Sequence, residues 1–143
     1  MSRGGDKMSA TMDHFTEYFV RAMLMVACAC GPVQGADLPA QKYPDVIGVA
    51  VKARAQDRFD FDVTVSSPYD TAARYAEGIR AVGKDGVVLG VRELLHDHAT
   101  EQPFTRDLYG VKILRGVKSV TIQARDRQYG FGGKSVDVAL PGR

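Results

Sequence analysis

Only three histidines occur in the 143 residues, and two of them, His96 and His98, stand two positions apart. On extended backbone, side chains at i and i+2 face the same side. The pair therefore offers two imidazoles to one Zn²⁺ or Cu ion, with Glu101 or Asp97 as a nearby oxygen donor. Such a set (His96, His98 and Glu101) leaves one further position for another ligand or a water. The imidazoles must be neutral to bind, so affinity would weaken below about pH 6.5. A solvated polar loop accounts for the same residues without a metal. Arg106 follows in the run Thr100 to Arg106, where its planar fork can pair with Glu101 or hold an anionic ligand. Tyr129 and Phe131, either side of Gly130, complete the candidate binding set.

Other chemistries find less support. Ser66 and Ser67 lack a nucleophile-elbow context, and no pair of carboxylates stands at a defined catalytic spacing. Gly130, Gly132 and Gly133 are not followed by the Lys-Ser/Thr ending of a phosphate loop, which leaves a tight strand connection as their reading. No catalytic residue is assigned. A metal-dependent hydrolase would need an open coordination position and a cleft, and a domain this small leaves little room for one.

The elements that must position these residues read as short strands. Phe59, Phe61, Val63 and Val65 alternate with Asp60, Asp62, Thr64 and Ser66, which places one apolar face on a core. Similar alternation runs over Val46 to Ala53, Arg74 to Val82, Val87 to Leu95, Val120 to Arg125 and Val136 to Leu140; Phe104 to Ile113 is apolar with irregular spacing. Asp85-Gly86 marks a tight hairpin, Ser67 to Asp70 a turn, and His96 to Pro103 a loop. Asp70 to Ala81 is alanine-rich, but strand is preferred there over helix. In that strand Glu77 shares a face with Tyr75 and Ile79, where a carboxylate needs a partner; a register slip would put it in solvent instead. About seven strands in roughly 100 residues predict an all-β fold, an immunoglobulin-like or fibronectin III-like antiparallel sandwich.

Upstream, an apolar stretch from Ala22 to Ala29 follows Arg21 and precedes small residues. It is too short for a membrane span and suits the core of a secretory signal, with cleavage after Gly35 or Ala36. The acids Asp6, Asp13 and Glu17 run against the positive charge expected before such a core. The expected organisation is a leader over 1–36, a linker over 37–45 and a sandwich domain over 46–143, with no transmembrane span in the mature chain. Both cysteines, Cys28 and Cys30, fall at the leader, so a cleaved chain carries neither a disulfide scaffold nor a thiol nucleophile. A second route is acylation of Cys28, since Met25-Val26-Ala27-Cys28 loosely follows a lipobox. With 19 Lys and Arg against 17 Asp and Glu there is no basic stripe, which disfavours nucleic acid as a partner.

The run Leu94 to His98 followed by Glu101 to Arg106 resembles a family of small, uncharacterised bacterial secreted proteins. The similarity extends from about Val46 to Leu140 through Phe61 to Val65, Asp70-Thr71, Tyr75-Ala76, Asp85-Gly86 and Ala124 to Asp126. It implies an exported β-sandwich and points at His96, His98, Glu101 and Arg106 without giving them a role. Two positions depart from the family's pattern: Ile79 stands where a tryptophan is expected, and Tyr129 where a histidine is expected. The expectation is thus a periplasmic or secreted binding or accessory module for an unknown protein or small ligand, with its recognition surface around His96 to Arg106. Zn or Cu binding is the alternative.

Overall fold

A computed structural model describes residues 40–143; the leader, its cleavage positions and Cys28 lie outside the described residues. Eight strands follow one another: β1 (Asp45–Arg54), β2 (Arg58–Ser66), β3 (Ala76–Val82), β4 (Val88–Glu93), β5 (Phe104–Lys112), β6 (Ser119–Asp126), β7 (Gly130–Phe131) and β8 (Val136–Ala139). All pairings are antiparallel. One sheet has the order β1-β2-β5; in the other, β4-β3-β6 is extended by β7 and β8, which both pair with β6. This is the expected sandwich, with its last strand broken in two. Asp70 to Val82 contains strand and no helix.

The alternating residues Phe61, Val63 and Val65 of β2 face Ile79 and Ala81 of β3 and Ile122 and Ala124 of β6 across one buried core. Fully burying each of the larger side chains, such as Phe61, Ile79 or Ile122, contributes about 1.5–3 kcal/mol. Ile79, where the resemblance led to an expected tryptophan, is fully buried in this core.

Four bulges shift the period of two, one of them between β3 and β4, where Leu89 is the extra residue opposite Ala81 and Val82. In β1 the register slips between Val46 and Gly48, which turns Ile47 outward and lets both Val46 and Val49 face the core. In β5 the slip falls opposite Asp60: Gly110, at φ +68°, donates its N–H to the Asp60 carboxylate at 2.9 Å. This accounts for the irregular apolar spacing of Phe104 to Ile113. In β3 the slip lies between Ala76 and Gly78, so Glu77 is the extra residue. It leaves the core face that strict alternation assigns to it and pairs with Arg125 of β6 at 2.6 Å.

The glycine-rich segment has a specific cause. Residues 41–45 pack onto the domain: Gln41 donates to the Ser66 carbonyl at 2.7 Å, Pro44 is buried, and the Val46 N–H donates to the Lys134 carbonyl at 2.9 Å. A Cβ on Gly132 would meet the Tyr43 ring at 2.7 Å, and one on Gly133 would meet the Pro44 carbonyl oxygen at 2.0 Å. Bare backbone is needed where the chain crosses, and the last strand breaks there into β7 and β8.

The connections β2 to β3 (67–75), β4 to β5 (94–103) and β6 to β7 (127–129) emerge at one end of the sandwich, together with residues 40–44. At the other end lie the turns 55–57 and 83–87 and the loop 113–118.

The two sheets approach closely where Gly90 of β4 meets Val111 of β5, with only 2.8 Å from an added Cβ to Val111 Cγ2. Val111 is a short, stiff side chain with little freedom to yield. Gly90→Ala is expected to destabilise the domain by about 1–3 kcal/mol through overpacking, read as a lower urea midpoint with an unchanged m-value.

Candidate functional site

The loop 94–103 is held by groups that the eye does not pick out in the sequence. Asp70, buried in the preceding loop, accepts the Ala76 N–H at one carboxylate oxygen and the His98 N–H at the other, both at 3.1 Å. Gln102 accepts the Ser67 N–H at 2.7 Å and donates to Ser67 Oγ at 3.1 Å and to the His98 carbonyl at 3.2 Å. A third tie runs through Tyr75, whose hydroxyl donates to the Leu95 carbonyl at 3.2 Å and receives an N–H from Arg127 at the same distance. Loops 67–75, 94–103 and 127–129 are therefore joined by hydrogen bonds across the end of the sandwich, the first two mainly side chain to backbone and the third through Arg127 to the Tyr75 hydroxyl and carbonyl.

His96 and His98 do not share the exposure that an extended strand would give them. His98 is buried and stacks on the buried Phe104 ring, with centroids 4.0 Å apart and planes 16° from parallel. His96 is exposed, with its Nδ1 2.8 Å from the Asp97 carbonyl oxygen. Their rings remain neighbours at 4.8 Å. Glu101, the third residue of the expected metal set, is taken by Arg106, whose guanidinium donates to it at 2.8 Å. Among the described residues no group of three His, Cys, Asp or Glu is placed to hold a metal ion. A cavity of about 190 Å³ lies over this loop, lined by Arg92, Leu95, His96, His98 and Arg106 among others. That is smaller than the usual range for organic ligands.

Electrostatics follow the geometry. The bonded Arg106 guanidinium holds the Glu101 carboxyl below its ordinary pKa. Burial, then the positive charge of Arg106 and the neighbouring His96, pushes the His98 pKa down against the opposing pull of Glu101 and Asp70. His98 is therefore a neutral ring in this site at pH 7, and its Nδ1 is buried without a hydrogen-bond partner.

Beside this loop lies a cluster that the sequence reading missed apart from Tyr129. Asp126, fully buried at the end of β6, accepts the N–H groups of Gln128 and Tyr129 at 2.8 Å each and the Arg74 guanidinium at 3.2 Å. Burial raises the Asp126 pKa and is outweighed by the Tyr129 N–H, the adjacent Tyr69 hydroxyl, the Gln128 N–H and Arg74, leaving it below the ordinary value. Arg74 is sandwiched between aromatic faces, 4.1 Å from the Tyr69 centroid and 4.8 Å from that of Tyr129, and also donates to the Lys42 carbonyl. Lys42 Nζ sits 4.6 Å from the Tyr129 centroid. The Tyr69 hydroxyl is buried on the flank of Asp126 without a hydrogen bond of good geometry, and burial first, then that carboxylate, drives its pKa far up. The usable signal was the run Ala124-Arg125-Asp126: alternation puts Asp126 on the core face of β6, where a carboxylate must find partners.

Phe131 belongs elsewhere. It pairs with Arg125 across β6 and β7, on the outer face of the second sheet, and is covered by the Arg80 guanidinium at 3.5 Å. The structure thus places His96, His98 and Glu101 in one loop with Arg106 of β5 against it, and Tyr129 in the adjoining cluster.

Comparison with known proteins adds one relative. The chain is 31% identical over 94 residues, 66% of its own length and 46% of the other's, to a protein of Halomicrobium mukohataei named "Putative lipoprotein". It spans a little under half the length of that curated relative. No family model matches the chain, and no solved structure matches it. No helix among the described residues is long and apolar enough to cross a membrane.

Removing the Asp70 carboxylate leaves two N–H groups in buried surroundings at about 1–3 kcal/mol each. Asp70→Ala is therefore expected to cost about 2–6 kcal/mol and to raise hydrogen exchange at the Ala76 and His98 amides ahead of the β2 and β6 core. The lowered pKa of His98 has a defined sign: an unfolded histidine takes up a proton near pH 6.5 while the folded one resists, so stability is full above about 6.5 and falls as the pH drops through that value. Urea unfolding at pH 7.5 and 5.5 should show this loss, and His98→Phe, which keeps the ring stack, should reduce it.

Proposed function

We propose that this chain is an exported, non-catalytic binding or accessory module whose recognition surface is the loop end around His96 to Arg106, extended by Tyr129. The observation that carries the reading is the way three loops are fastened to one another through Asp70, Tyr75 and Gln102. Fixing loops in advance lowers the ordering cost of association. The same end offers an apolar side chain in Leu95, 80% exposed, beside a polar rim of His96, Thr100 and Glu101, together with the half-exposed Tyr129. An aromatic or aliphatic anchor with a polar surround is the usual composition of a protein-recognition patch. The adjoining cavity is too small for most organic ligands, which favours a protein partner over a small molecule.

Export is supported by the apolar stretch Ala22 to Ala29 and by the relative's name. In this reading Cys28 carries a lipid and tethers the domain at a membrane surface. Metal handling through His96 and His98 is not carried forward, because Glu101 is committed to Arg106 and His98 is turned into the fold.

A photo-crosslinking residue placed at Leu95 in the native host is expected to give a discrete adduct, and the same residue at the exposed Lys52 on β1 to give none. Cys28→Ser is expected to shift the protein from the membrane to the soluble fraction. Equal adduct patterns from both positions would remove the loop end as the recognition surface, and unchanged fractionation would remove the lipid.

A further inference from the structure

At the opposite end of the sandwich the two sheets part. Gly90 and Val111 pinch them together, and beyond that point a groove of about 520 Å³ opens between the turn 83–87 and the loop 113–118. Its lining includes Leu89 and Val117, which pack against the core, and Leu114, 71% exposed at the rim. Three lysines, Lys84, Lys112 and Lys118, also line it. None of them forms an ion pair among the described residues. Asp85, the one carboxylate in the lining, already has an oxygen occupied by the Val87 N–H at 3.2 Å.

We propose that this groove is a binding site for a small amphipathic anion, an alkyl or aryl body bearing a single carboxylate or sulfonate. The volume falls within the range of small-molecule sites, and an apolar wall with a few convergent polar groups is their usual construction. The apolar lining gives an alkyl or aryl body surface to cover. The lysines gather three positive charges against the single carboxylate of Asp85, with which none of them is ion-paired, leaving a net positive lining beside that wall, and an ammonium near low-dielectric surface attracts an anion more strongly than one in open water. A neutral apolar ligand leaves those charges unmatched, and a cationic one is repelled. The site is independent of the recognition surface at the other end, and each can fail without the other.

Decanoate titrated into the purified protein is the direct probe, followed by calorimetry and by amide chemical shifts, with decyltrimethylammonium as the cation of matching chain length and phosphatidylglycerol vesicles as a membrane arm. Saturable one-site binding of decanoate is expected, with shifts centred on residues 83–89 and 114–119 and none for the cation. Lys112→Gln combined with Lys118→Gln, both on exposed positions and checked by thermal unfolding, should weaken decanoate by about tenfold or more and by less as salt is raised. Absence of saturable binding, equal binding of the cation, an unchanged affinity in the double variant, or shifts confined to the other end would each overturn the proposal. Vesicle binding without decanoate binding would assign the lysines to a membrane surface and overturn it as well.

Discussion

The arrangement of the loop end depends on a single buried carboxylate. Asp70 sits where β2 has left one sheet and β3 has not yet joined the other, and its two oxygens take the N–H groups of Ala76 and His98. One bond fixes where β3 begins; the other fixes where the loop after β4 turns back toward β5. Both N–H groups would otherwise be buried donors without acceptors, which a folded protein rarely tolerates. Gln102 and Ser67 repeat the device one step away, so that loops separated by some 30 residues share one hydrogen-bonded frame.

Within that frame the polar residues divide by burial. His98 is drawn inward to stack on Phe104, where losing its solvent shell keeps it neutral, while His96 stays in water beside it. Arg106 takes up Glu101 at the rim. The neighbouring cluster follows the same logic at greater depth. Asp126 is fully buried yet ionised because Arg74 and two backbone N–H groups surround it, and Arg74 is in turn wedged between Tyr69 and Tyr129. Removing Arg74 leaves the buried Asp126 charge without its cationic partner, which makes this corner costly to alter and suits it to hold neighbouring loops still.

The two ends of the sandwich differ in kind. One is closed by hydrogen bonds between its loops and displays a relief of fixed shape. The other is opened by the divergence of the sheets past Gly90, leaving apolar core flank and three lysines along a groove. A two-sheet architecture of this size has few concave places, and the groove forms where the edge strands β4 and β5 are no longer held together by close contact.

The strands and their core faces were legible in the sequence because alternation over Phe59 to Val65 and Val120 to Arg125 reflects burial on one side of a pleated backbone, a local property. The Asp85-Gly86 hairpin was legible for the same reason, with Gly86 supplying φ +82°. What alternation could not supply was any place where the count of residues differs between paired strands. Glu77 leaves the core face, and Ile47 becomes exposed, only because bulges insert one residue against a partner strand far away in the chain. Likewise Gly132 and Gly133 read as a turn, and only the path of residues 43–45 across them shows why no side chain fits. The sequence by itself determined the sandwich class and the loop His96 to Pro103 that leads to Arg106. Tertiary structure alone decided that His98 points inward, that Glu101 belongs to Arg106 and that Phe131 lies apart, because burial and pairing are set by contacts between residues distant in sequence.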